Sequence, residues 1–240
     1  MSGSGDNYST FTGRSVAART SQGRCSFALY EGTSDYGELV ICDGVNEPFL
    51  FQMTGTDSDV TNRTFFAKEI TVSGTTGPAV GVIHDKHLVV AGASTAKNTI
   101  FYSGTNDIDD FTSTGSGSIV IEDAVVGLAS FRSDLIIFCK NSIHKLVNIN
   151  DSSNVAVVPI TTNVGCVSGG SIQEIGGDLL FLSPDGVRTV AGTARIGDVE
   201  IGTISANVQS LFDENLSSAS EFQSVVIPDR SQYRIFFTKS

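Results

Sequence analysis

The sequence predicts an all-β chain, a β-propeller of about five blades built from antiparallel meanders, and three observations carry that prediction. A strand–turn–strand phrase recurs along the chain, its copies are spaced by roughly 40 to 50 residues, and its second strand is apolar on both faces. Composition agrees. Twenty-five glycines against five prolines suit many tight turns between short strands, because glycine supplies the positive φ angles such turns require.

The phrase is an apolar run, a short polar turn and a second run rich in Val, Ile, Leu and Phe. Its copies are Ala79 to Ile83 with Leu88 to Ala91, and Val126 to Phe131 with Leu135 to Phe138. Further along come Ser171 to Ile175 with Leu179 to Leu182, and Phe222 to Ile227 with Tyr233 to Phe237. Glu38 to Cys42 is an earlier, partial copy. Most copies continue into a third run, at Pro48 to Phe51, Thr99 to Tyr102, Ser142 to Leu146 and Gly186 to Val190, so each is a meander of at least three strands.

The residues that open the second strands are Glu38, His87, Asp134, Asp178 and Gln232, at intervals of 49, 47, 44 and 54 residues. Val89, Ile136, Leu180 and Ile235 are expected at equivalent, buried positions. Asp85 and Arg132 are expected in exposed turns. A strand with one solvated face would alternate apolar and polar residues; these do not, as expected of sheets stacked on both sides. A β-sandwich is the alternative architecture, since short strands and turn signals also fit it. The expected organisation is an N-terminal arm over 1–24 and one propeller domain over 25–240. The last copy stops where its third strand should begin, so either Cys25 to Tyr30 closes the final blade or the chain is a segment of a longer protein.

With 40% hydrophobic and 17% charged residues the chain is neither disordered nor membrane-like, and no apolar run approaches the roughly 20 residues of a spanning helix. A net charge of −11 argues against gripping nucleic acid, because phosphate binding depends on clustered Lys and Arg. The same charge suits a surface that nucleic acid passes without sticking. Met1 to Asn7 lacks the basic and apolar segments of a signal peptide, which implies synthesis and retention in a cytoplasm. Cys25, Cys42, Cys139 and Cys166 form no CxxC pair, and two lie in apolar runs; buried free thiols are expected.

Candidate chemistry is sparse. His84 and His87, with Asp85 between them, have the residue types of a metal site, but on a β-turn a spacing of three does not set both rings on one face, so exposed polar turn residues are expected. His144 reads as an outward-facing strand residue. The densest carboxylate cluster, Asp107, Asp109 and Asp110 in Thr105 to Phe111, is oxygen-rich as calcium sites are, yet it lacks the turn glycine and closing glutamate of an EF-hand and reads as a solvated loop with turn-capping side chains. Gly115 to Ser118 is a serine–glycine turn without the strand-to-helix setting of a nucleophile elbow. The sequon at Asn62 carries weight only in a secreted protein. No catalytic, cofactor-binding or metal-ligating residue is therefore assigned.

Four phrases, Val40 to Pro48, Ile100 to Phe111, Ala124 to Leu146 and Val164 to Val187, resemble in their order the β-propeller portion of tail tubular or nozzle proteins from short-tailed bacteriophages. The resemblance covers roughly residues 38 to 192, and the chain is much shorter than a full nozzle protein. It implies a non-enzymatic virion structural protein of the tail, made in the host bacterial cytoplasm and assembled with copies of itself as a ring. It further implies neighbours such as the tail adaptor, portal or fibres, DNA that passes without specific binding, and no membrane span or cofactor. The alternative from another class is a propeller lectin or glycan-degrading enzyme acting on host-surface polysaccharide, for which Asp107, Asp109, Asp110 and Asp185 are the available carboxylates.

Overall fold

The computed structural model describes residues 24–32, 37–54, 64–191, 209–216 and 219–239. The arm expected over 1–24 lies outside them except for Arg24, and Asn62 lies outside them as well. The chain is all-β, as expected, and its strands form five antiparallel sheets, each a meander in sequence order. The first sheet contains β1 (Ser26–Tyr30), β2 (Glu38–Cys42), β3 (Phe49–Thr54) and β4 (Thr64–Glu69). The second contains β5 (Val80–His84), β6 (His87–Ala93), β7 (Ala96–Tyr102) and β8 (Gly117–Val120). The third contains β9 (Val125–Phe131), β10 (Asp134–Cys139), β11 (Ile143–Val147) and β12 (Ala156–Thr161). The fourth has β13 (Gln173–Ile175), β14 (Asp178–Ser183) and β15 (Gly186–Thr189); the fifth has β16 (Ala219–Ile227) and β17 (Gln232–Lys239), preceded by the helix α1 (Gln209–Leu216).

Each recurring phrase is therefore a hairpin at the heart of one sheet. The hairpin turns are tight because the chain enters left-handed backbone there: Asp85 and Lys86 at φ 45° and 67°, Gly176 and Gly177 at 60° and 78°. Paired positive φ angles match the twist of the flanking strands, which is why two-residue loops prefer them. His84 and His87 are consequently strand residues paired across the hairpin. They are buried, which corrects the expectation of exposed turn residues; Asp85 and Arg132 are exposed as expected.

The chain divides into two compact units, Met1–Ala96 with Phe101–Ser118 and Lys97–Ile100 with Ile119–Ser240, beside the single domain expected over 25–240. In the first unit Val40 and Cys42 of β2 share a core with Leu88 and Val90 of β6, together with Ala28, Tyr30 and Phe101. In the second, Ile136 and Phe138 of β10 pack on Leu179 and Phe181 of β14, with the Phe138 and Phe181 rings 5.3 Å apart. The opposite side of the same strand, Leu180 and Leu182, packs on Phe222, Tyr233 and Ile235 of the fifth sheet. The fourth sheet is thus covered on both faces, a serial stacking that a two-layer sandwich does not contain.

Close approach of these layers needs small residues. A side-chain carbon on Gly127 would lie 2.3 Å from Ile172 Cδ1 and 3.2 Å from Gly169 Cα, so the third sheet meets the backbone of the 3₁₀ turn Gly169–Ser171 that leads into the fourth.

One of the two alternatives for the ends is set aside, and one expected equivalence is corrected. Ser26 to Tyr30 pairs with Cys42 to Glu38 as the first strand of the first sheet, and among the described residues no strand joins the first sheet to the last. In the last hairpin Ile235 is not the equivalent of Val89, Ile136 and Leu180. Val89, Ile136 and Leu180 are buried two residues after the strand-opening position, whereas the residue at that position in β17 is the exposed Arg234. Ile235, half-buried, is equivalent to Val90, Ile137 and Phe181. The closing pair of the hairpin, Ile227 with Gln232, matches those of the other hairpins although its turn is longer, with Pro228–Arg230 forming a 3₁₀ turn before the left-handed Ser231; Arg234 is exposed because no described sheet packs on its side.

Two outcomes are expected. Ile136, 3% exposed, carries no polar partner, so Ile136→Asp buries an unpaired charge at a cost of about 3–5 kcal/mol. That approaches the whole stability of an ordinary domain, about 5–15 kcal/mol, and the variant should be insoluble. A soluble, cooperatively unfolding Ile136→Asp protein would refute the doubly buried strand. Conversely, Lys86→Gly relieves a left-handed non-glycine residue on an exposed turn and should raise stability by roughly 0.5–1 kcal/mol, read from denaturant unfolding midpoints.

Candidate functional site

The carboxylates nominated by the sequence are distributed among turns. Thr105 to Phe111 lies in the long connection between β7 and β8, folded onto itself by Gly104 N–H donating to the Asp110 carbonyl at 2.9 Å and by a bridge between Gly104 and Asp107. Ile108 and Phe111 anchor this loop in the first unit's core. Asp110 Oδ1 accepts from Thr112 N at 2.7 Å, Thr112 Oγ1 at 2.7 Å and Ser113 N at 3.1 Å. The Thr112 hydroxyl, its amide and the Ser113 amide hold the Asp110 carboxyl below its ordinary value. Asp109 is ion-paired with Lys68, and Asp107 is exposed.

Asp185 belongs to the second unit. It receives the buried Arg188 guanidinium and the Ser183 hydroxyl, and the Arg188 contact first of all depresses its pKa. The structure thus brings Asp107, Asp109 and Asp110 into one loop and engages Asp185 elsewhere. Among the described residues, no group of three or more His, Cys, Asp or Glu side chains is placed to hold a metal ion.

The histidines have structural partners. His87 is fully buried, its Nδ1 2.6 Å from the Ser103 carbonyl and its Nε2 3.1 Å from Thr105 Oγ1, with Tyr102 edge-on at 6.2 Å. The carbonyl can only accept, so Nδ1 carries a proton, while Nε2 shares a hydrogen bond with the threonine hydroxyl. Such an imidazole staples β6 to the β7–β8 connection. Cys42, Cys139 and Cys166 are buried and none of the four cysteines forms a disulfide, with the Cys139 thiol pushed up to about 12 by burial and secondarily by the charge of Asp123. Low nucleophilicity follows.

One constellation not apparent in the sequence has the residue types of a hydrolytic triad: Asp123, Ser142 and His144. Ser142 Oγ donates to Asp123 Oδ2 at 3.1 Å, and His144 Nε2 lies 2.9 Å from the same hydroxyl. The order decides its chemistry. In a nucleophilic relay the imidazole stands between acid and hydroxyl and takes the hydroxyl proton. Here the hydroxyl stands between acid and imidazole, its single proton committed to the carboxylate, so His144 donates rather than accepts. Desolvation lowers the His144 pKa against the opposing charges of Asp123 and Glu122, which favours a neutral, donating ring.

What Asp123 does is lock two turns together. Besides Ser142 it accepts from Asn141 N at 2.6 Å, Asn141 Nδ2 at 3.2 Å and Ala124 N at 2.8 Å, joining the β8–β9 link to the β10–β11 turn. Asp43 and Asp151 each close a single turn, on Val45 and Asn46 and on Ser153 and Asn154. Glu47 differs: burial raises its carboxyl, a Val72 backbone hydrogen bond works against that, and the charge of Glu69 adds to it. The sequence gives no signal for this because Glu47 and Glu69 are brought together only by the β3–β4 pairing.

No family model and no curated protein matches the chain. Among solved structures it is similar to the extracellular domain of a putative hybrid two-component system from B. thetaiotaomicron, at 13% identity and a TM-score of 0.42. That alignment covers 68% of this chain and 20% of the other, so the chain spans about a fifth of its neighbour's length.

The turn lock yields a pH test. Partial burial raises the Asp123 carboxyl, but its hydrogen bonds from Asn141, Ala124 and Ser142 outweigh that and leave its pKa depressed. A depressed carboxylate contributes stability above its unfolded pKa, about 3.9, and loses it as pH falls through the folded value. Asp123→Ala should therefore cost about 1–2 kcal/mol at pH 7, and the difference from the native chain should shrink below about pH 4. A difference unchanged at pH 3 would show that the carboxylate's charge has no part in the lock.

Proposed function

We propose that this chain is a non-enzymatic structural subunit of a bacteriophage virion, a tail nozzle or tubular component that forms or surrounds the DNA exit path. The observation that carries the reading is the order of the four phrases over residues 38 to 192. Support comes from the use of the polar groups: Asp43, Asp110, Asp123, Asp151 and Asp185 hold turns and hairpins together, and the Asp123–Ser142–His144 set has the wrong proton order for hydrolysis. A net charge of −11 suits a conduit wall, because a surface of like sign repels passing DNA and gives it no phosphate-binding stations. Such a subunit works through its contacts with copies of itself and with adaptor, portal or fibre proteins.

Mass spectrometry of purified particles tests this directly: peptides of the chain should appear at a stoichiometry of several copies per virion, and their absence refutes the role. The glycan-degrading alternative predicts instead that host-envelope polysaccharide is cleaved by the purified protein, with the cleavage abolished by Glu47→Gln or Asp109→Asn. No cleavage is expected. Retention of duplex DNA at low salt, about 50 mM, is likewise expected to be absent.

A further inference from the structure

The second strands obey one parity rule. Counted from the strand-opening residues Glu38, His87, Asp134, Asp178 and Gln232, at each junction within a unit positions two and four of the earlier strand meet positions one and three of the next. Val40 and Cys42 meet Leu88 and Val90; Ile136 and Phe138 meet Leu179 and Phe181; Leu180 and Leu182 meet Tyr233 and Ile235.

Extended to the first and last sheets, the rule picks out one outer face on each that carries exposed apolar side chains. On the preceding side of the first sheet, the register aligns Phe27 with Ile41 and Phe49, and Leu29 with Leu39 and Phe51, two rows that are wholly apolar across three strands. Phe27 is 64% and Leu29 58% exposed. On the following side of the last sheet, Val225 lies opposite Arg234 and Phe236 opposite Gln223, with Phe236 57% and Val225 43% exposed. Patches of this kind on a soluble surface mark association sites.

We propose that these two faces bind each other between copies: the preceding face of the first sheet of one chain receives the following face of the last sheet of a second chain. The argument is continuity. Each face is one half of a sheet-to-sheet contact that the chain already makes at three junctions, with the same positions of the same strands presented. The two halves differ, one apolar throughout with Glu69 ending the Phe27 row, the other mixed and carrying Arg234, so the contact is head-to-tail rather than self-complementary. Glu221, on the same side as Arg234, leaves little net attraction, and apolar burial therefore supplies the affinity while charge sets orientation. Head-to-tail contacts close into a ring or run on as a filament. The inference deepens the proposed self-assembling role and rests on it for the identity of the partner.

Cysteine cross-linking between two singly substituted chains tests it. In a Cys25→Ser background, Leu29→Cys and Phe236→Cys proteins are mixed, oxidised and resolved without reductant. A dimer containing one of each is expected, with little cross-linking of either protein to itself. Absence of the mixed dimer, predominant self-cross-linking, or an intrachain disulfide in a monomeric Leu29→Cys/Phe236→Cys double variant would each overturn the contact. Independently, sedimentation of the native chain should show concentration-dependent association, lost in Phe27→Asp/Phe236→Asp with an unchanged thermal midpoint; a native chain monomeric at all concentrations refutes the proposal. Virion mass spectrometry can fail while the cross-link forms, and the reverse, so the two readings are separable.

Discussion

Burial of one strand on both its faces is the constraint from which the rest of the structure follows. Leu88 to Ala91, Leu135 to Cys139 and Leu179 to Ser183 are buried without interruption, so none of these strands tolerates the alternation by which a half-solvated sheet is recognised. A strand of this kind is stable only between two layers. Its neighbours in the meander then have to supply the sheet edges, and the layers on either side must come close enough to fill the gaps, which is why Gly127 stands opposite Gly169. Fixing β10 between β9 and β11 also places both ends of its hairpins in water, where polar residues are required.

Those polar residues account for much of the acidity. A left-handed or bent turn leaves amides pointing away from the sheet ladder, and an aspartate one to three residues before them satisfies two at once, as Asp43, Asp110 and Asp151 do. Asp123 reaches amides both adjacent to it and 18 residues away, so it couples neighbouring turns rather than closing one. Asp110, Asp123 and Asp151, occupied in this way, have depressed pKa values and accept hydrogen bonds at neutral pH. They are poor candidates for proton transfer, which calls for a pKa moved toward neutrality. Glu47, raised by burial, is of the opposite type.

The second strands were legible in the sequence because an uninterrupted apolar run of four to six residues between turn signals is too short for a core helix and too apolar for a loop. The outer strands were not. β12 is largely solvated and contains Pro159, and β8 alternates between half-buried and exposed residues, so neither stands out from a polar loop. β1 was visible as a strand but not as the partner of β2, because pairing depends on the path of the intervening polar segment and not on either strand's composition. The histidine error has a similar origin. A turn of two residues, Asp85 and Lys86, leaves His84 and His87 on the ladder, and no composition cue distinguishes it from a turn of four.

The same reasoning explains why composition sites the polar chemistry but not its function. Ser142 and His144 are two residues apart and their contact is local, whereas Asp123 is carried to them by the return of β9 and β10. Residue types therefore suggest a relay, and only the direction of donation, fixed by which group lies in the middle, excludes it. In a stack of doubly buried sheets the strand interiors are committed to packing and the turns to their own amides. What remains uncommitted are outer faces of the first and last sheets, where Phe27, Leu29 and Phe236 stand in water at a cost in solvation.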